Sequence, residues 1–197
     1  MIDLRAYLEH KLRDVISDWN EADIYAISFF VYSNEAYEYK GYSNVTEFCV
    51  SYNTDRDCIG AGELSEERWN YAFWRQNEIP IIEATNENEG MKILFEWYEE
   101  NGVYNIGYED YDACYDNQMR YIGKGPVGYY ELLCEITAVA KKLQNSGFIK
   151  KKFGSPIPII IHDLEYPWYI IDATKKANPN GEASMFFTAM KKLGFMD

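Results

Sequence analysis

The chain has 197 residues, a hydrophobic fraction of 47% and a net charge of −13. That length suits one domain with a sizeable core, and that apolar content excludes wholesale disorder. No apolar run approaches the stretch of about 20 residues that spans a bilayer, and Met1-Ile2-Asp3-Leu4-Arg5 lacks the start of a signal peptide, so a soluble cytoplasmic protein without membrane contact is expected.

Asp3 is placed to cap a helix running to about Trp19, where Leu4, Tyr7, Leu8, Leu12, Val15, Ile16 and Trp19 recur at helical spacing. Ile24 to Tyr32 is aromatic and β-branched, and reads as a buried strand. A polar turn begins at Ser33-Asn34. Tyr37 to Tyr42 reads as a short strand, and Val45 to Tyr52 as a longer one with clear alternation. Strands this close in sequence predict an antiparallel meander. Residues 53–64 read as a loop, and Ser65 to Gln76 as either a helical turn or an irregular packing segment. Glu87 to Asn101 predicts a helix with Met91, Leu94, Phe95 and Tyr98 inward and Gly102 as its stop. Residues 108–121 are acidic, aromatic and weakly helical. Pro126 suits the first turn of a helix reaching about Ser146. Pro156 to His162 reads as a strand whose prolines place its start at a sheet edge, Tyr169 to Ile171 as a further short strand, and Glu182 to Leu193 as a terminal helix. No repeat or linker divides the chain. The order predicts a single α+β domain over residues 1–197, a mainly antiparallel sheet packed by several helices.

Motif by motif, catalytic signatures fail on context. Gly123-Lys124-Gly125-Pro126-Val127-Gly128 spells GxGxxG, but no strand precedes it and no acidic strand end follows, so a turn feeding a helix is expected. Glu109, Asp110, Asp112 and Asp116 lack the glycine and the twelfth-position glutamate of a calcium loop. His162-Asp163 has only His10 as a second histidine, and Cys49, Cys58, Cys114 and Cys134 form no CxxC pair, so four ordinary thiols are expected and neither metal nor cofactor. Asn44-Val45-Thr46 is a glycosylation triplet by letters only.

Charge is polarised along the chain. Residues 1–130 carry 25 acids and 10 bases, whereas 131–197 carry 7 acids and 9 bases. Such a field repels nucleic acid and anionic membrane and attracts basic surfaces, although solubility is the first explanation of such a charge. Tyr98, Tyr104, Tyr108, Tyr111 and Tyr115 stand among these acids. Tyrosine buries area while keeping a polar tip, and a partner's arginine can stack on its ring while pairing with a carboxylate. Packing of the domain's own core explains the rings equally well. The expected partner-binding residues are Glu87, Glu89, Tyr108, Glu109, Asp110, Tyr111, Asp112 and Asp116.

Several stretches carry a likeness: Arg68-Trp69 with Trp74, the helix Glu87 to Glu100, Phe153-Gly154-Ser155-Pro156 through Ile161-His162-Asp163, and Ala177-Asn178-Pro179. Through them the chain resembles a bacterial family known as domain of unknown function 4303. The resemblance implies an immunity-like protein that neutralises a cognate toxin, a basic nuclease domain being one fit, and it carries no catalytic residues. The expected function is therefore binding of a protein partner. The alternative is a small hydrolase or transferase near His162, Asp163 and Asp172.

Overall fold

The computed structural model describes residues 2–163 and 165–196. Helix α1, Leu4–Asp18, starts where Asp3 Oδ1 accepts the Ala6 amide at 2.9 Å, and buries Leu4, Leu8, Leu12 and Ile16 along one face. Strand β1, Ile24–Asn34, pairs antiparallel with β2, Val45–Thr54, with Phe29 opposite Val50 and Phe30 opposite Cys49. Between them the expected strand over 37–42 is absent. One bridge, Tyr39 to Tyr42, closes a turn through Lys40 and Gly41, both at positive φ, which is too tight for a ladder.

Short helix α2, Glu66–Trp69, leads towards β3, Ile79–Ile82, an edge strand paired with β2. Pro80 hides this strand from a sequence reading, since proline marks edges rather than sheet interiors. Then come α3, Glu89–Glu100, α4, Tyr129–Asn145, and α5, Phe148–Phe153. Strand β4, Ile159–His162, joins the other side of β1, giving the order β3-β2-β1-β4. It runs parallel to β1, with Ile27 beside Ile159 and Phe30 beside His162, the one parallel pair among the described strands of a sheet that is mainly antiparallel, as expected. The connection from β1 to β4, through β2, β3 and the helices α2 to α5, is the long crossover a parallel pair needs. The chain ends with α6, Trp168–Ala177, and α7, Ser184–Leu193. Tyr169 to Ile171, expected as a strand, lies inside α6. Of its β-branched pair, Ile170 joins Tyr169, Ala173 and Ala177 on the buried helical face, while Ile171 is only partly buried.

The sheet is buried on both faces. Ile27, Phe29 and Val31, with Phe48, Val50, Ile159 and Ile161, pack beneath α1, α3, α4 and α6. On the opposite face Ala26 and Ile160 meet Trp69, Tyr71, Trp74, Phe186 and Met190. Glu47 is buried too; its Oε1 accepts the Ala84 amide at 2.6 Å and its Oε2 the Asn34 amide at 3.0 Å. The glycines of residues 123–128 make the expected turn. Gly128 has φ 97° and lies so close to the Tyr98 hydroxyl that a side chain would collide with it. No helix among the described residues is long and apolar enough to cross a membrane.

Candidate functional site: an acidic, tyrosine-lined cavity

Because β1 and β4 run parallel, their carboxyl ends open on the same edge of the sheet, where open α/β sheets commonly bind ligands. Tyr32 and Ser33 lie near that end of β1, and Asp163 follows β4. Around them lies a cavity of about 820 Å³, within the usual range for ligand sites. Its walls come from β1, the 109–126 segment, the start of α4, the residues after β4, α6 and Phe195. Seven rings line it: Tyr32, Tyr115, Tyr121, Tyr129, Tyr166, Tyr169 and Phe195. Three carboxylates line it as well, Glu109, Asp163 and Glu165, and no described lysine, arginine or histidine does.

Asp163 is strongly perturbed. Burial pushes its carboxyl from the ordinary 3.8 up to about 6, against hydrogen bonds that favour the ionised form. Its Oδ1 accepts the Glu165 amide at 2.7 Å, and its Oδ2 lies 3.0 Å from the Tyr129 hydroxyl. That hydroxyl also lies 3.1 Å from the Val31 carbonyl oxygen. Tyr129 has one proton for two acceptors. With Asp163 protonated, the carboxyl donates to Tyr129 and Tyr129 donates to Val31, so every group is satisfied. With Asp163 ionised, one acceptor loses its partner. Across the cavity the Tyr121 hydroxyl donates to Glu109 Oε1 and accepts the Gly125 amide at 2.8 Å. Burial raises the Tyr121 and Tyr129 phenols, which stay neutral donors.

The expected partner-binding residues divide. Glu109 lines the cavity. Tyr108, Asp110, Tyr111 and Asp112 are exposed on the segment that walls it. Asp116 is held by its own turn, accepting the Gln118 amide at 2.8 Å and the Arg120 amide at 2.9 Å while pairing with Arg120 Nε at 2.8 Å. Glu87 and Glu89 lie at the start of α3, with Glu89 paired to Lys11 at 3.1 Å, and neither lines the cavity.

The structure does not bring together the alternative trio. His162 is fully buried beside Phe30 and Tyr71, with Nε2 2.6 Å from Ser28 Oγ. Its Nδ1 lies 3.3 Å from the Asp163 carbonyl, an acceptor only, so the fitting tautomer carries the proton on Nδ1 and accepts from Ser28 at Nε2. Burial lowers its pKa to about 3, leaving a neutral core imidazole. Asp172 pairs with Lys176 at 2.6 Å and lines a separate groove of about 310 Å³ between α4 and α6. Only Asp163 faces the main cavity. Among the described residues no cluster of three or more His, Cys, Asp or Glu is arranged to hold a metal. Sequence reasoning missed Tyr32, Tyr121, Tyr129, Tyr166 and Tyr169; only the density of tyrosine pointed towards them.

Compared with protein-family models, with curated proteins and with solved structures, the chain matches none.

Proposed function

We propose that the protein acts by binding a basic protein partner on the acidic, tyrosine-rich face formed by residues 104–122, in the manner of an immunity protein that covers a toxin domain. One observation carries the reading. Tyr104, Tyr108, Tyr111, Tyr115, Met119 and Ile122 are all solvent-exposed on a single segment, interleaved with Glu109, Asp110 and Asp112. Exposed aromatics clustered beside carboxylates match the composition of an interface core with a charged rim. The immunity part rests on the family resemblance alone.

The test is capture of partners from the source cell on immobilised protein, followed by association kinetics at two salt concentrations. Asp110→Asn with Asp112→Asn should slow association and flatten its salt dependence, because rim charges act mainly on encounter. Unchanged rate and salt slope would reduce the acidic face to a solubility feature.

A hydrolase or transferase reading has one observation in its favour, a carboxyl in a cavity that exchanges its proton near pH 6. Turnover of ester, phosphoester or glycoside substrates that disappears in Asp163→Asn would establish it; absence of turnover across all three classes would remove it.

A further inference from the structure

We propose that the cavity at the carboxyl ends of β1 and β4 binds an organic cation, a guanidinium or alkylammonium group held among Glu109, Asp163 and Glu165 and faced by tyrosine rings. This deepens the docking reading by naming what enters the cavity behind the acidic face.

Charge is the first argument. Several acids elsewhere on this protein are matched: Glu9 with Arg13 at 2.9 Å and Lys142 at 2.6 Å, Asp57 with Arg75 at 3.0 Å, Glu135 with Arg5 at 2.5 Å. Glu109, Asp163 and Glu165 have no cation beside them among the described residues, although they share one cavity. An anion is repelled from such a wall, and a neutral ligand leaves the carboxylates uncompensated. A cation resolves both. The rings act in the same sense, since the face of a tyrosine attracts a cation within about 6 Å of its centroid. The molecule already uses this contact elsewhere: the Arg68 guanidinium sits 3.9 Å from the Tyr25 ring centroid. The wall also holds an unmet polar group. The Ser33 hydroxyl oxygen is buried and has no hydrogen-bond partner among the described residues.

Asp163 adds a signature that a passive acidic hollow lacks. The groups facing it are Tyr129 from α4, Tyr169 from α6, Glu165 and Tyr166 from the residues after β4, and Glu109 and Tyr121 from the opposite segment. None is cationic, and the adjacent His162 is neutral, so the Glu165 amide and the Tyr129 hydroxyl favour the ionised form of Asp163, and no positive charge in the chain does. An entering cation does. Its binding therefore expels a proton near pH 6 and strengthens as pH rises through that value.

The experiment is calorimetric titration of the full chain with agmatine, choline and N-acetyl-arginine amide, using N-acetyl-citrulline amide as the neutral isostere, in two buffers of different ionisation enthalpy. At least one cation should bind one per chain, and the citrulline compound at least about tenfold more weakly. Buffer-dependent heat near pH 6 should report the released proton and vanish in Asp163→Asn. Glu165→Gln, a substitution at an exposed position, should weaken the cation by about fivefold without touching the fold. Tight binding of agmatine or choline identifies a free amine as the source, whereas binding of the arginine amide alone identifies a partner's side chain. Equal binding of the citrulline compound, no binding of any cation at millimolar concentration, or identical affinity in both variants overturns the proposal. Asp110 and Asp112 do not line the cavity. If cations fail while neutralising those two still slows a partner's association, the cavity assignment alone falls.

Discussion

Asp163→Asn should stabilise the protein, which is the opposite of the usual result for a partly buried, hydrogen-bonded residue. The amide keeps an oxygen for the Glu165 N–H and offers an N–H to the Tyr129 oxygen, freeing Tyr129 to donate to Val31. The folded carboxyl titrates at about 6 and the unfolded one at 3.8, so folding is opposed once the unfolded chain ionises and the folded one resists. The acid's contribution is intact below pH about 4 and is lost as pH rises through about 6. The loss reaches about 3 kcal/mol near pH 7.5 and about 1.5 kcal/mol at pH 5 on these values, as an order of magnitude. His162 works in the opposite direction over the same range, because its folded imidazole resists protonation down to about 3 while the unfolded one takes a proton near 6.5. Wild-type stability alone therefore blurs the two effects. The difference between wild type and variant cancels His162 and isolates Asp163. Urea unfolding at several pH values should show the variant ahead by about 1–3 kcal/mol near neutrality, with the gap halving by pH about 5. A variant less stable than wild type at neutral pH, or a gap independent of pH, refutes the proton assignment among Asp163, Tyr129 and Val31.

Three further outcomes follow from the packing. Glu47→Ala strands the buried Ala84 amide and should cost about 1–3 kcal/mol in urea unfolding, with Glu47→Gln costing less because one acceptor remains. Gly107→Ala should destabilise by a similar amount, about 1–3 kcal/mol, since a Cβ there meets the Ser43 carbonyl oxygen at 2.0 Å and φ is +82°. Because the Gly107 amide bonds the Val127 carbonyl at 2.9 Å, the same change should loosen the 104–108 stretch, read as faster amide exchange there. Thiol labelling of the native protein should show one rapid site, the exposed Cys134, removed by Cys134→Ser, while Cys49, pushed up to about 12 by burial, reacts only on unfolding.

Helical periodicity was readable wherever one face alone is buried: α1, α3, α4 and α7 lie within a few residues of their expected spans. Composition gave β1, β2 and β4 as strands, but a run such as Ile159–His162 carries no mark of direction, so its parallel pairing was invisible. Ile79–Ile82 and Phe148–Phe153 are too short to show a period, and Ile170-Ile171 was read by β propensity where helix packing prevailed. The cavity was the hardest feature to read. Asp163 was noticed beside His162, yet its real neighbours, Tyr129 and Glu109, come from distant segments, and no local spacing announces a wall assembled by tertiary contact.

The pairing of Ile27 with Ile159 also sets an order of events in the cell. As the chain leaves the ribosome, β1 and β2 can zip together at once, but the far side of β1 stays an open, apolar edge until Ile159–His162 has been made. Contacts so distant in sequence are slow to form, and an open strand edge in the meantime is a template for association with other chains. The cavity straddles that same seam, so it exists only after β4 has docked. Chains that stop short of β4 therefore lack it altogether.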